Sequence, residues 1–248
     1  MEVARPEFLP EESLSREEME EMQHEIAGVA TFEDRIDFAP ADLATDRLVA
    51  GIDQAFLDDG QRAISAVVLL QDGDVIERTY AVTPLSIPYI PGLLAFREGG
   101  PIVEALRRLE TEPDVLMLDG SGRIHYRQAG LATHIGVCFD VPAVGVAKRL
   151  LCGRPKRSIE SLPEGERVPI EADDEMTASA GEIVGYVYQS RQYPNSTEIN
   201  PLYVSPGHRL SAATAVDCVA ATGGTYKLPE PTRLADQYAD ERKTTLGM

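Results

Sequence analysis

Three runs of residues with strand character, Leu48–Phe56, Ala63–Leu70 and Asp74–Val82, follow one another with only short Asp- and Gly-rich segments between them. Segments that short reverse the chain as hairpin turns, whereas parallel strands need a crossover of a dozen residues or more, so the three runs form an antiparallel meander. After the proline-rich stretch Thr83–Gly92 the pattern changes. A helix is expected to begin near Pro101 and end before Pro113, followed by a buried-type strand at Asp114–Asp119. A helix at Gln128–Phe139, with Leu131, Ile135 and Phe139 on one face, and a second apolar strand at Pro142–Ala147 then make a parallel crossover unit. Strands at Glu182–Gln189 and Leu202–Ser205 and a helix at Ser211–Ala221 complete an α/β chain, a mixed sheet flanked by helices.

The 248 residues, 43% of them hydrophobic, are enough to bury a sizeable core, and they read as a single domain over 1–248. Residues 1–46 carry 14 acids against three Arg, yet Met19, Met22, Ile26 and Val29 recur at helical spacing after a Ser15/Glu18 capping box, so an acidic amphipathic helix is expected at about 13–30. No apolar run is long enough for a membrane span and the acidic start is unlike a signal peptide, which points to a cytoplasmic protein. Cys138, Cys152 and Cys218 are odd in number and form no CxxC pair, so they are expected as small buried apolar groups.

The net charge of −18 argues against a partner made of phosphates, because such partners are held largely by cations. The acid is unevenly placed, however. Lys148, Arg149, Arg154, Lys156 and Arg157 make a basic run containing no acid, and only four of the 23 cations are Lys. An acidic, Lys-poor surface suits a protein kept hydrated in a very salty cytoplasm.

Two of the apolar runs contain a carboxylate: Asp53 interrupts Leu48-Val-Ala-Gly-Ile-Asp53 and Asp119 closes Val115-Leu-Met-Leu-Asp119. An unpaired carboxylate at or near the end of a buried strand costs several kcal/mol, roughly, and a divalent cation is one of the few partners that compensates two of them at once. Pairing with Arg, or starting a turn before Gly, is the ordinary alternative for either one alone. Three antiparallel strands followed by α-β-α-β resemble the ribonuclease H-like fold, in which metal-binding acids come from the first strand, a segment after the third, and the fourth strand. Asp53, Glu98 and Asp119 stand at those places.

Four motifs stand in the order found in the endonuclease V family: Pro88-Tyr-Ile-Pro-Gly-Leu-Leu-Ala-Phe-Arg-Glu98, Asp119-Gly-Ser-Gly-Arg-Ile-His125, Gly145-Val-Ala-Lys148 and Val204-Ser-Pro-Gly-His208. The resemblance continues to Leu228-Pro-Glu-Pro-Thr-Arg-Leu-Ala-Asp236, leaving only the extreme ends and 158–180 unconstrained. It implies hydrolysis of the second phosphodiester bond 3′ to a deaminated base such as deoxyinosine, with Mg²⁺ or, in its place, Mn²⁺, by a monomer that serves DNA repair. Asp53, Glu98 and Asp119 match the family's catalytic acids, with Asp53 and Asp119 as metal ligands. Glu98 then ligates metal or orients the attacking water, and His208 helps position that water or protonates the leaving oxygen. Lys148 is assigned to phosphate. Tyr89, between Pro88 and Ile90-Pro91, becomes a wedge in the base stack. Gly92, Leu94, Gly120, Gly122 and His125 line a pocket for the flipped base, although Tyr126 stands where the family usually has Pro. His24 and His134 are left as residues on helix surfaces or at packing edges. The same acids also serve a ribonuclease H-like nuclease acting on inosine in RNA or on other lesions and mismatches, and the pocket alone serves a non-catalytic inosine-binding protein.

Overall fold

A computed structural model describes residues 1–196 and 198–247. Helix α1 (Arg16–Val29) starts at the expected capping box: Ser15 Oγ accepts from the Glu18 amide and the Glu18 carboxylate from the Ser15 amide. Its inward face is Met19, Gln23 and Ile26, whereas Val29 is exposed. The meander is β1 (Val49–Leu57), β2 (Arg62–Gln71) and β3 (Asp74–Pro84), antiparallel throughout. Then come α2 (Leu94–Leu106), β4 (Val115–Asp119), α3 (Leu131–Phe139) and β5 (Ala143–Ala147), with β4 parallel to both β1 and β5. Strands β6 (Arg154–Pro155), β7 (Arg167–Glu171), β8 (Ile183–Tyr188) and β9 (Leu202–His208) are followed by α4 (Ala212–Ala221) and α5 (Glu230–Leu246). Among the described residues the nine strands form one sheet in the order β3-β2-β1-β4-β5-β9-β8-β7-β6.

Helices cover both faces. Leu116 and Leu118 of β4 and Ile52 of β1 point toward α1, α2 and α3, where they meet Ile26, Ile102, Leu106 and Ile135. Val115 and Met117 point the other way, toward Val216 of α4 and Ala235 of α5. This is the two-sided burial that parallel strands require. Cys138, Cys152 and Cys218 are free and buried, and burial pushes each thiol up to about 12.

Several elements differ from the sequence reading. Helix α2 begins at Leu94 rather than near Pro101, and Pro101 lies within it. A proline there forgoes one helix hydrogen bond, but burial of Ala95 and Phe96 against the core carries the first turn through Gly99, Gly100 and Pro101. Helix α3 begins at Leu131 rather than Gln128, because Gln128 has φ +55° and Gly130 is the cap. Strand β7 lies in the stretch read as unconstrained, where Val168 and Ile170 pack with Leu162 and Val187 in a small core of their own. Helix α5 was not foreseen. Pro229 and Pro231 set its start and Ala235 and Ala239 its buried stripe, pressed onto β1 at Gly51. A Cβ on Gly51 would come within 1.9 Å of the Pro231 carbonyl oxygen, so only glycine admits the helix this closely.

Candidate active site

The register of the two central strands brings the acids together. Ile52 of β1 pairs with Leu118 of β4, so the next residues along these parallel strands, Asp53 and Asp119, stand side by side. Side chains alternate along a strand, and since Gly51 faces α5, Asp53 faces α5 also. Asp119 ends β4, whereas β1 runs on to Leu57 paired only with β2, so Asp53 lies within its strand, as the run Leu48–Phe56 implies, and farther from a strand end than Asp119. Asp53 is 9% exposed; its Oδ1 accepts from the Gln54 amide at 2.7 Å, and its Oδ2 is buried with no partner among the described residues. Burial, and next to it the Asp119 charge, push the Asp53 carboxyl up to about 8.

Both acids open into a cavity of about 560 Å³, lined also by Glu98, Lys148, Asp236 and the Tyr89, Gly92, Leu94, Gly120 and His125 positions. Glu98 comes from the first half of α2, where Gln54 Nε2 holds its backbone carbonyl at 2.9 Å; burial pushes its carboxyl up to about 7, against the nearby Arg97 charge. Lys148, just past β5, places Nζ 2.6 Å from Asp119 Oδ2. Burial opposes its charge, but Asp119, Asp53 and Asp236 together hold the ammonium above its ordinary value. Asp236 is the acid that sequence reasoning passed over. In the sequence it is only the last residue of Leu228–Asp236, a stretch with no apolar periodicity to mark a helix, yet α5 carries it into the cavity within reach of both Asp53 and Lys148.

The opposite wall, on the α2 and α3 side, is braced from behind. Gly92 has φ +82° and its carbonyl accepts from Gln23 Nε2 at 2.8 Å and from His125 Nε2 at 3.0 Å. The His125 ring is fixed from its other side by the Arg127 amide on Nδ1, and burial lowers its pKa to about 4. It is therefore a neutral imidazole that positions the Gly92 turn. Tyr126 lies over Gly92, close enough that a Cβ there would come within 3.1 Å of its ring. Tyr89, at 64% exposure, stands out from the loop between Pro88 and Pro91.

Two expected site residues are not brought to the cavity. Gly122 packs behind it, its amide donating to Ser205 Oγ at 2.9 Å and its Cα so close to the Pro206 carbonyl that no Cβ fits. His208 pairs with Ala143 at the start of β5, the end of the strand opposite to Lys148, and is 2% exposed. Its Nε2 bonds Asp140 Oδ1 at 3.0 Å and its Nδ1 accepts from the Thr31 amide, so it anchors the far end of the sheet and has no access to the acids. His134 is also wholly buried, not at a packing edge, with Nε2 on the Phe8 carbonyl at 2.7 Å. The basic run is partly neutralised, with Lys148 paired to Asp119, Lys156 to Glu171 and Arg157 to Glu166, and of its members Lys148 and Arg149 line the cavity.

Among the described residues no group of three His, Cys, Asp or Glu side chains stands arranged to hold a metal ion. The chemistry of the pair nevertheless fits a hard divalent cation. Two adjacent carboxylates, one with an unpartnered buried oxygen, are anionic oxygen donors whose repulsion such an ion removes. In the arrangement seen, the Lys148 ammonium supplies the positive charge beside them.

Central parallel strands that deliver two aspartates to one cavity, within a sheet that begins as an antiparallel meander, define a ribonuclease H-like nuclease. The sequence profile described as Endonuclease V matches residues 30–237, and the chain belongs to the endonuclease V family. It is 68% identical to an endonuclease V of Natronomonas pharaonis, over 100% of this chain and 99% of that one. With an endonuclease V of Haloarcula marismortui it shares 56% identity, over 98% of this chain and 97% of the relative. Both relatives come from haloarchaea, in keeping with a salt-adapted source. An endonuclease V structure from Streptomyces avermitilis superposes over 100% of both chains with TM-score 0.79 and 30% identity. A Ciona intestinalis endonuclease V, in complex with a DNA containing an inosine followed by a ribo-adenosine, superposes over 93% of this chain and 98% of that one with TM-score 0.74 and 26% identity. No helix among the described residues is long and apolar enough to cross a membrane.

Proposed function

We propose that this protein nicks DNA at the second phosphodiester bond 3′ to deoxyinosine, using Mg²⁺, with Mn²⁺ as a substitute, as a single-domain monomer of the cytoplasm engaged in DNA repair. The observation that carries the reading is the register pairing that sets Asp53 beside Asp119, with a partnerless buried oxygen, in the lining of a cavity whose other wall is the Gly92–His125 turn. The Ciona relative bound to inosine-containing DNA supports the choice of base.

Asp53 and Asp119 would hold the ion, with Asp236 as the nearest further carboxylate. Bound there, a divalent ion supplies charge neutralisation at the transferring phosphate and lowers the cost of making hydroxide from water. Glu98, whose carboxyl titrates at about 7, is suited to take a proton from the attacking water near neutral pH. Lys148 offers its ammonium to the phosphate from the β5 side. Tyr89, on a loop stiffened by two prolines, enters the stack left by the displaced base, while Gly92, Leu94, Gly120 and the braced His125 shape the pocket that receives it. Gly122 shapes that wall from behind, and His208 has no part in the chemistry.

Mapping the product ends on matched strands holding deoxyinosine, inosine in RNA, or adenine tests the reading. One nick in the deoxyinosine strand, one nucleotide beyond the lesion, with adenine spared, is expected. Faster cleavage of the inosine RNA would replace the DNA reading with the RNA one. Binding without any cleavage would leave only an inosine-binding protein.

A further inference from the structure

Three aromatic residues are exposed among the described residues: Tyr89, Tyr193 and Tyr226. Tyr89 lines the cavity. Tyr193 is in the β8–β9 connection, and because Tyr203 at the start of β9 pairs with Ala147 at the end of β5, that connection rises beside Lys148. Tyr226 is in the α4–α5 connection, which is tied to the same loop twice: Lys227 Nζ donates to Asn200 Oδ1 at 2.5 Å, and Ser190 Oγ donates to the Lys227 carbonyl at 2.6 Å.

The charge is as uneven as the aromatics. Of four lysines in a chain of net charge −18, Lys227 is held near Lys148: after burial, the Lys148 charge is the main influence lowering its pKa, with Asp119 and Glu198 acting the other way. An acidic protein gains no fold stability from two ammonium groups kept near each other, but a polyanion passing both gains a contact at each. Beside them Tyr226 is 54% exposed, with the Arg233 guanidinium, itself paired to Glu230, 4.9 Å from its ring centroid. A ring supported on one side and open on the other is the form of a stacking platform for a base or sugar.

Position decides which stretch of strand this surface meets. The Gly92–His125 wall is on the α2 and α3 face of the sheet, whereas Asp53, beside Asp119 on the central strands, faces α5, as do Asp236 and the α4–α5 connection. A strand with its displaced base on the first face and its scissile phosphate at the acids leaves over the second.

We propose that Lys227 and Tyr226 form a product-side subsite, Lys227 for a phosphate and Tyr226 for the adjoining base or sugar of the nucleic-acid strand 3′ of the cleaved bond. The subsite rests on the proposed nicking beside inosine. Its function is to hold the downstream strand in molar salt, where phosphate contacts alone are weak and stacking is not.

The test is steady-state cleavage, in molar KCl with Mg²⁺, of inosine strands with few or many nucleotides beyond the scissile bond, by wild type, Lys227→Gln, Tyr226→Ala and Tyr226→Phe. Lengthening the strand is expected to lower the wild-type KM about tenfold at little change in kcat, a gain of the size one stacked base provides. Lys227→Gln and Tyr226→Ala lose most of that gain, whereas Tyr226→Phe keeps it, which a merely structural role for the ring in loop packing would not produce. Wild type that cleaves without regard to downstream length, or both variants keeping the full gain, overturns the subsite alone. Wild type that does not cleave inosine strands overturns the functional reading and the subsite with it.

Discussion

Asp53 is where the fold is held least comfortably. Its carboxyl is raised to about 8 from an ordinary 3.8, chiefly by burial and then by Asp119, so the native state binds its proton more tightly than the unfolded chain does. Stability from this group is therefore complete below about pH 4 and is lost as pH rises through 8, on the order of a few kcal/mol. Asp53→Asn keeps the shape and removes the charge. In chelator at pH 8 the variant should unfold at higher urea than wild type, with the difference shrinking toward pH 4; Mg²⁺ should raise the wild-type midpoint and leave the variant nearly unmoved. A variant less stable than wild type in chelator at pH 8 would contradict the assignment. Asp53 and Asp119 were legible in the sequence because a carboxylate within or closing an apolar run is conspicuous, and Glu98 because it follows the third strand and ends a motif that stands in family order. Asp236 was not, because an aspartate on a polar helix is unremarkable until packing shows which way it points. His208 misled for the converse reason: its motif stands in family order, but register places it at the far end of β5.

At the scale of elements, the central strands and the α3 crossover were readable from periodicity, since each buries a continuous apolar stripe. What periodicity could not show was helix α5, whose buried face is mostly small residues, Ala235 and Ala239, and whose fit depends on a missing side chain elsewhere, at Gly51. Local rules also placed the start of α2 too late, since Pro101 marks a helix start only when nothing upstream is anchored in the core. The dependence of α5 on Gly51 is testable. Gly51→Ala puts a methyl into the Pro231 carbonyl and should cost about 2 kcal/mol or more in urea unfolding. Because α5 carries Asp236, the same change should lower nicking further than the loss of folded protein explains. Unchanged stability and activity would mean that α5 does not sit on β1 as described.

Over the whole molecule the unevenness of charge reconciles an acidic protein with a polyanionic substrate. The −18 net charge is spread over a surface that includes α1, while Lys148, Arg149 and Lys227 are kept at the catalytic end. At molar salt the Debye length falls to about 3 Å, so the acidic surface no longer repels DNA at a distance or itself. Urea midpoints should accordingly rise from low to molar KCl, and indifference to KCl would contradict salt adaptation. The central claim, that Asp53 and Asp119 make a divalent-metal centre for nicking beside deoxyinosine, is tested most directly by one assay. A labelled duplex with a single deoxyinosine is incubated in molar KCl, with and without Mg²⁺, with wild type or Asp119→Ala. Cleavage that requires Mg²⁺ and falls by about a thousandfold or more in the variant, roughly the loss of one dominant source of charge stabilisation, is predicted; cleavage in chelator, or an active Asp119→Ala, would contradict it.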